Sequence, residues 1–435
     1  MKMLFAVVIL VVTLIIGVPV PFCFGAAIML IVLTGGYQSS FLLPSGYSQI
    51  SSVVLLAIPL FILAGGIMEK GKIGDALIGF VEKFVGTFRG GIGAVAVIAS
   101  GVFGSISGSG FATLSCIGSI MFPKLKDNNY PRGIAAALVS NAAPVGGLLL
   151  PPSVAQILYA WSSQQSVLAC FLAIVIPGIM LLTALCIVNY FMVRNLDLVI
   201  VKKEPPATWV RSTLKRAWIA LPALFMPVII LGGIYGGIMT PTEAAAVSAL
   251  YAIPVGFFIY RKMKLRDFKD AVLQSGTTTG VCMVMFFMVM ILSKMFILEN
   301  LPNKIADSIL GISDNPMVVM LMINVFMILV GMLMDDVSSI LLCTPMLLPL
   351  VMAIGVHPVH FAAILGVNLG MGNVTPPTAP IPFLGARLSN TPISEMIKPM
   401  FIFIIFAWLP VLAIVTLVPG LALAIPKMML PAMFM

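Results

Sequence analysis

GSISGSGFATLSCIGSIMFP at 104–123 and GMLMDDVSSILLCTPMLLPL at 331–350 are two copies of one pattern. Gly104 aligns with Gly331 and Cys116 with Cys343. At the same offset Pro131, Ala135, Ala136 and Asn141 align with Pro358, Ala362, Ala363 and Asn368. At slightly different offsets PPS (151–153) faces PPT (376–378), and KIGDALIG (72–79) mirrors KIADSILG (304–311). The preserved order of these matches marks an internal duplication.

The solvent around the copies follows from composition. Of 435 residues, 60% are hydrophobic and 9% charged, against roughly 25% charged in soluble domains. Apolar runs at 3–34, 51–68, 167–193, 216–236, 278–298 and 399–425 are long enough to cross a bilayer core of about 30 Å. None shows the ten-residue alternation of a membrane barrel, so the spans read as helices. The first run continues without a polar gap or cleavage site and reads as mature chain, not as a signal peptide. Cys23, Cys116, Cys170, Cys186, Cys282 and Cys343 stand singly in apolar stretches, without metal-ligand spacing.

The formal charge of +9 carries orientation, not nucleic-acid recognition. Lys and Arg gather at 70–89, 124–132, 194–216 and 261–269, with Arg387 and Lys398 besides. The positive-inside rule places those segments in the cytoplasm, leaving Lys2, Lys294, Lys304 and Lys427 on the other side and the N-terminus outside. The first copy lies between basic loops, KGK (70–72) and KLKDNNYPR (124–132). The second lies between ENLPNKIADSILGISDNP (299–316) and AIGVHPVH (353–360), which are poor in positive charge. The copies therefore enter the membrane from opposite faces, and an inverted repeat is the signature of secondary transporters.

The layout expected is an all-α polytopic membrane protein whose halves each contain three crossings, an interfacial arm, a re-entrant hairpin, a broken crossing and a final crossing. In the first half these are 3–17, 19–35, 51–68, arm 70–88, hairpin 92–123, broken 131–162 and 167–193. In the second they are 216–236, 241–260, 278–298, arm 299–312, hairpin 317–350, broken 358–390 and 399–425. Grouped by role, 1–91 forms first-half scaffold and arm, and 92–162 the first hairpin and broken helix. Scaffold, connector and second arm fill 163–316, the second hairpin and broken helix 317–390, and the final crossing 391–435. A polar cytoplasmic connector at 194–215, containing Lys202-Lys-Glu-Pro-Pro206, joins the halves.

Four segments look non-helical inside apolar sequence: GSISGSG (104–110), NAAPVGGLLLPPS (141–153), MDDVSSI (334–340) and NLGMGNVTPPTAP (368–380). Glycine permits tight turns and proline removes a backbone donor. Such backbone is tolerable at membrane depth only where protein buries it or a cavity adjoins it. Its freed carbonyls, with nearby hydroxyls, are hard oxygen ligands suited to sodium, and half-helix N-termini suit a carboxylate. The bland alternative is a set of kinked, closely packed crossings, since Gly and Pro are common in membrane helices. Four such segments, placed symmetrically, favour the site.

Asp335 and Asp336 are the sharpest single residues, because an intramembrane carboxylate is a functional hypothesis by default. The competing reading is a hairpin tip that reaches water. An aspartyl protease would need its two carboxylates on separate helices, which an adjacent pair does not supply. Thr240-Pro-Thr-Glu243 reads as a structural helix start. His357 and His360 lack a third ligand nearby and read as interfacial. The thirty Met read as gap-filling apolar residues. Nothing resembles a phosphate-binding loop, so the chain is not expected to hydrolyse nucleotide, nor to be an enzyme of another kind.

At these residues the chain resembles the large membrane subunit of tripartite ATP-independent periplasmic (TRAP) transporters. The resemblance covers essentially the full length and rests on GSISGSG (104–110), GLLLPPS (147–153), GIYGGIMTPTEAAAVSALYA (233–252), GMLMD (331–335), TPMLLPL (344–350), GVHPVHF (355–361) and GNVTPPTAP (372–380). TPPTAP departs from the family pattern, which has a Gly soon after the Pro pair. The resemblance implies an elevator, in which hairpins and broken helices slide against a scaffold within the bacterial inner membrane. It implies sodium-coupled uptake of an organic acid, of carboxylate or sialic acid type. A periplasmic binding protein delivers that acid, and a small four-helix membrane subunit widens the scaffold. Carried over by position, Ser105, Ser107, Ser109, Asn141, Gly146 and Ser153 surround a first sodium site and adjacent substrate. Asp335, Ser338, Ser339, Asn368, Gly372 and Thr375 surround a second. Ser107, Ser109, Ser153, Asp335 and Thr375 are the residues implied to touch substrate.

Two other readings stay open on the sequence. A stand-alone sodium- or proton-coupled carboxylate carrier of the same superfamily would work without a binding protein. A membrane enzyme or scaffold would leave the paired hairpins without a purpose.

Overall fold

A computed structural model describes residues 2–199, 205–313 and 315–434. The described residues are helical throughout, with no strand among them. The first half comprises α1 (Lys2–Ile15), α2 (Val20–Gly35), α3 (Leu42–Ile50), α4 (Ala57–Lys70), α5 (Ile73–Val85), α6 (Gly91–Ser107), α7 (Gly110–Asp127), α8 (Arg132–Leu149), α9 (Val154–Ser163) and α10 (Val167–Val193). The second comprises α11 (Pro206–Tyr235), α12 (Pro241–Pro254), α13 (Leu265–Leu298), α14 (Leu301–Leu310), α15 (Pro316–Leu333), α16 (Asp336–Ala353), α17 (Pro358–Gly372), α18 (Pro380–Ser389), α19 (Ile393–Phe403), α20 (Leu409–Leu417) and α21 (Pro419–Met429). Nine of the described helical segments are long and apolar enough to cross a membrane.

The breaks fall at residues whose chemistry favours turns and helix starts over a continuous helix. Gly108, at φ +63°, ends α6, and Ser109 opens α7. Pro151-Pro152 separates α8 from α9, and Pro376-Pro377 separates α17 from α18; both peptide bonds are cis. Met334 leaves α15 in extended backbone and Asp335 opens α16. The two hairpins are thus α6–α7 and α15–α16, and the two broken crossings α8–α9 and α17–α18.

Packing exchanges elements between the halves. Each hairpin lies on its own broken crossing, α6 on α8 and α15 on α17, while its second arm reaches the other half, α16 to α9 and α7 to α18. Buried polar side chains tie this core across the repeat. Gln156 Nε2 donates to Ala362 O at 3.2 Å, and the Tyr159 hydroxyl donates to Pro358 O at 2.7 Å. Every residue of α8 from Ala135 to Leu149 is buried. Such a helix sits inside protein, not against lipid. By contrast α1, α11 and the outer face of α13 carry many exposed apolar residues, among them Phe5, Trp218, Phe225 and Val284. That is the surface a bilayer or a membrane partner covers.

Three features depart from the expected layout. Helix α11 begins at Pro206, inside the segment read as a polar connector, because Pro206 starts the helix at its first turn and the following residues continue it. Residues 200–204 of that connector, with Lys202 and Lys203, lie outside the described residues. Helix α13 begins at Leu265, well before the apolar run at 278–298, where the Asp267 carboxylate in its first turn reaches back to accept from Lys264 N at 2.9 Å. The final crossing is interrupted by a π-helical turn at Ile404–Trp408 and breaks again at Val418. The expected helix start at Thr240 is present as a capping box: Glu243 Oε2 accepts from Thr240 N at 2.7 Å and from its hydroxyl at 2.8 Å.

Candidate functional site: a cavity between two hairpin tips

Close glycine contacts bring the hairpins against the broken crossings. A Cβ placed on Gly146 of α8 would lie 2.5 Å from Gly104 Cα and 2.5 Å from Ser100 O on α6. The repeat makes the same contact, where a Cβ on Gly372 of α17 would lie 2.7 Å from Gly331 Cα on α15. Only glycine at these four positions lets the backbones approach so closely.

Buried polar side chains gather at both contacts. Asn141 Nδ2 donates to Ala137 O at 2.8 Å, while Asn141 Oδ1 has no hydrogen-bond partner among the described residues. In the repeat, Asn368 Nδ2 donates to Asn324 Oδ1 at 2.9 Å and to Asn324 O at 3.0 Å, and Asn368 Oδ1 is likewise unpartnered. Ser100 Oγ and Ser339 Oγ are buried and unpartnered as well. Unsatisfied buried acceptors are uncommon in folded proteins and call for an explanation.

The hairpin tips themselves face a cavity of about 560 Å³. Ser107, Gly108 and Ser109 border it from the first tip, and Asp335, Asp336 and Val337 from the second. The opposite wall belongs to α4 and α13, through Gly65, Gly66, Glu69, Gln274, Ser275 and Thr278. Glu69 and Gln274 lie toward the basic ends of α4 and α13, beside Lys70 and Arg266. The cavity therefore reaches from the tips toward those basic ends.

The two tips are built alike but capped differently. Ser109 caps α7, its hydroxyl oxygen accepting from Ala112 N at 3.5 Å. Asp335 caps α16 with a carboxylate, accepting from Val337 N at 3.2 Å and from the Ser338 hydroxyl at 2.6 Å. Asp336 follows in the first turn, and its Oδ1 is buried without a partner. Ser107 Oγ lies 3.2 Å from Thr113 Oγ1 and 3.3 Å from Ser109 O.

Of the residues singled out in the sequence, Ser107, Ser109 and Asp335 meet in the cavity wall. Ser338 and Ser339 lie one turn behind Asp335, both fully buried. Ser105, Asn141 and Gly146 lie in the first helix contact, and Gly372 and Asn368 in the second. The Ser105 hydroxyl donates to Val102 O at 2.8 Å. Ser153 and Thr375 do not border the cavity; their hydroxyls donate to Gly147 O and Met371 O, both at 2.6 Å. Sequence reasoning missed Glu69 and Gln274, which sit in ordinary amphipathic sequence and acquire meaning only when α4 and α13 meet the tips. His357 caps α17 through Nδ1, which accepts from Val359 N at 3.1 Å, a structural use.

Comparison with known proteins decides the family. The family model described as the tripartite ATP-independent periplasmic transporter, DctM component, matches residues 7–421. The chain belongs to this family. It is a multi-pass protein of the inner membrane, and the family is one of transporter permeases, not of enzymes. The C4-dicarboxylate TRAP transporter large permease protein DctM of Pseudomonas aeruginosa is 34% identical over 377 residues, 86% of each chain. The sialic acid TRAP transporter large permease protein SiaM of Vibrio cholerae is 32% identical over 415 residues, covering 95% of this chain and 96% of that one. The isethionate TRAP transporter permease protein DctMQ of Oleidesulfovibrio alaskensis is 34% identical over 94% of this chain, which spans only 64% of that longer protein. In fold, the chain is similar to the YdaH transporter of Alcanivorax borkumensis, with TM-score 0.62, 13% identity and coverage of 87% and 88%. MtrF of Neisseria gonorrhoeae aligns at TM-score 0.60 and 15% identity, covering 89% of this chain and 84% of that one.

Proposed function

We propose that this DctM-family subunit imports an organic acid together with sodium, by an elevator movement of the two hairpins and broken crossings against the helices around them. The observation that carries the reading is the pair of helix contacts whose buried oxygens lack donors. Asn141 Oδ1 on α8 and Ser100 Oγ on α6 are such oxygens in the first half, and Asn368 Oδ1 on α17 and Ser339 Oγ on α16 in the second. A hard cation satisfies unpartnered carbonyl and hydroxyl oxygens without needing a proton. The half-helix ends beside them are the usual coordination ground of sodium-coupled carriers.

On this reading Ser105, Ser107, Asn141 and Gly146 hold one ion, and Asp335, Ser338, Ser339, Asn368, Gly372 and Thr375 the other. The Asp335 carboxylate would balance the second ion's charge while it holds the turn through Val337 N and Ser338. Substrate would sit between the tips, against Ser107, Ser109 and Asp335. Helices α4 and α13 would be stationary wall, their basic Lys70 and Arg266 ends would face the cytoplasm, and the cavity's course toward those ends would correspond to the release side of the cycle.

The partners follow from membership of a tripartite family: a periplasmic binding protein that delivers substrate, and a small four-helix membrane subunit. The exposed apolar faces of α1 and α11 suit such a membrane partner. The relatives' printed substrates, a C4-dicarboxylate, sialic acid and isethionate, are all organic acids, which supports that class here.

The test is uptake of radiolabelled organic acids into proteoliposomes holding this chain and its small subunit, with and without an inward sodium gradient and the binding protein. Uptake that needs both establishes the reading. Sodium-driven uptake without the binding protein moves the chain to the stand-alone carriers. Flux indifferent to sodium removes the coupling ion.

A further inference from the structure

We propose that Gly65 of α4 is a positioning residue for transport: the seat on which the first hairpin tip rests while the cavity reaches the basic ends of α4 and α13. A side chain at this position shifts the hairpins and broken crossings toward the opposite arrangement. The inference rests on the elevator reading above and adds the contact that sets the balance between its two arrangements.

Helix α4 carries two adjacent glycines, Gly65 and Gly66, within AIPLFILAGGIMEK. Glycine inside a helix is less favourable than alanine, so each calls for a packing reason. Gly66 has one within the wall. A Cβ there would lie 2.7 Å from Ser275 Oγ on α13, and the Ser275 hydroxyl donates to Ile62 O of α4 at 3.4 Å. Both partners belong to helices that stay still on this reading. Gly65 faces elsewhere. The three nearest atoms that a Cβ on Gly65 would meet all belong to Ser107, its Cα at 3.1 Å and its Cβ and O at 3.2 Å. Ser107 is the last residue of α6, directly before the turn at Gly108. Gly65 therefore meets the main chain of the moving tip and not a neighbour in the wall.

The second tip does not repeat this contact. It meets the wall through side chains, the Ser338 hydroxyl donating to Met285 Sδ of α13 at 3.3 Å. Methionine has several rotatable bonds and can follow a shifting neighbour. The Ser107 backbone has no such freedom, because it is the end of a buried helix closed by Gly108 N donating to Gly104 O at 2.8 Å. The seat at Gly65 is thus the stiff one. It exists in one arrangement only, since an elevator carries Ser107 along α4 while Gly65 stays. A contact confined to one of two states biases their populations by whatever it contributes or costs. A methyl group on Gly65 would ask the tip to yield slightly and a valine would ask for more, which close-packed interiors resist.

The experiment uses a thiol that the protein already has. Cys282 of α13 borders the same cavity and is half-buried, so a membrane-impermeant maleimide reaches it while the cavity is open. The complex is held in nanodiscs at fixed sodium, and labelling is timed by peptide mass spectrometry, which separates Cys282 from the other cysteines. Gly65→Val should slow labelling of Cys282 at least about fivefold, and Gly65→Ala about twofold or more, by depleting the open arrangement. Gly66→Ala crowds only the wall and should leave the rate within about twofold of wild type. A folded Gly65→Val protein that labels as fast as wild type, or faster, overturns the proposal; should valine prevent folding, Gly65→Ala decides by the same criterion. Slowing by Gly66→Ala equal to that by Gly65→Ala overturns it too, because the effect would then belong to packing of α4 in general. Wild type is also labelled with and without succinate, N-acetylneuraminate and isethionate. A wild-type rate indifferent to sodium and to these acids, in a complex that transports one of them, would sink the elevator reading itself. A wild type that responds, beside Gly65 variants that label as it does, would sink only the seat.

Discussion

Replacing Gly146 by alanine tests whether the first helix contact holds an ion. The new methyl carbon would lie 2.5 Å from Gly104 Cα, 2.5 Å from Ser100 O and 2.7 Å from Gly101 O, all main-chain atoms. Unstrained contacts between carbon atoms lie near about 3.5–4.0 Å, so α6 and α8 must part by about 1 Å. Overpacking of this kind costs about 1–3 kcal/mol. If the ion-bound state requires the close approach, that cost falls on sodium binding. At about 1.4 kcal/mol per decade, the concentration of sodium giving half-maximal effect rises between about fivefold and about 150-fold. The assay is the unfolding temperature of the purified protein in nanodiscs across a sodium titration, since a ligand of the native state raises it by mass action. Gly372→Ala, against Gly331 Cα at 2.7 Å, should act in the same direction at the second contact. A Gly146→Ala protein that melts lower without sodium, yet has an unchanged sodium midpoint, would show that the contact serves packing alone. That result would refute the reasoning.

Asp335→Asn keeps a competent helix cap but removes the charge, so sodium dependence should weaken or transport cease while the protein stays folded; sodium-driven uptake equal to wild type would remove Asp335 from the ion site. Asn368→Ala deletes two hydrogen bonds to Asn324 and should cost about 1–3 kcal/mol as well as sodium activation, and a variant impaired in stability alone would place Asn368 among structural residues. Thr240→Ala breaks an exposed capping box that does not border the cavity. It should lower stability by about 0.5–2 kcal/mol and leave the sodium midpoint untouched, so a shifted midpoint would count against the assignment of roles. Glu82 accepts from Lys124 at 3.0 Å and lies 3.8 Å from Arg216, all partly exposed. Glu82→Gln should therefore shift unfolding by less than about 1 kcal/mol, and a loss several times larger would mean the cluster is a structural lock.

The backbone plan was legible where local chemistry overrides everything else. Gly108, Pro151-Pro152, Asp335 and Pro376-Pro377 favour a break or a fresh helix start over helix continuation, so the breaks could be read directly. The repeat then told which breaks correspond. Legibility failed where a residue's meaning depends on what packs against it. LRDFKDAVLQSGT (265–277) lies outside every apolar run, and only the contact of α13 with α16 and α4 turns Gln274 and Ser275 into cavity wall. Ser153 shows the converse. A serine after a Pro pair looks available for ligand, yet its hydroxyl is committed to Gly147 O and the start of α9.

The duplication explains why the two contacts are alike, and the divergence of its copies explains why the molecule can have a direction. Backbone geometry is repeated closely: a Gly–Gly approach, a buried Asn with an unpartnered oxygen, and a cis Pro-Pro pair occur in both halves. Two such frames of opposite orientation can present the same site to either side of a membrane, which is what alternating access needs. The caps at the tips are not repeated. Ser109 keeps the α7 terminus neutral, while Asp335 places a carboxylate on the α16 terminus and Asp336 adds a second. Without a cation, the second tip carries charges that low-dielectric surroundings oppose; with sodium beside Asp335 that opposition falls. Loading of the ion and closure of the tip around an acid would then be one linked equilibrium. A ligand that binds only the ion-loaded form must in turn tighten sodium binding by the same factor. Measured on the purified protein, sodium affinity should thus rise with acid concentration in step with the rise of acid affinity with sodium. Unequal factors would show that the two occupants do not share the second tip.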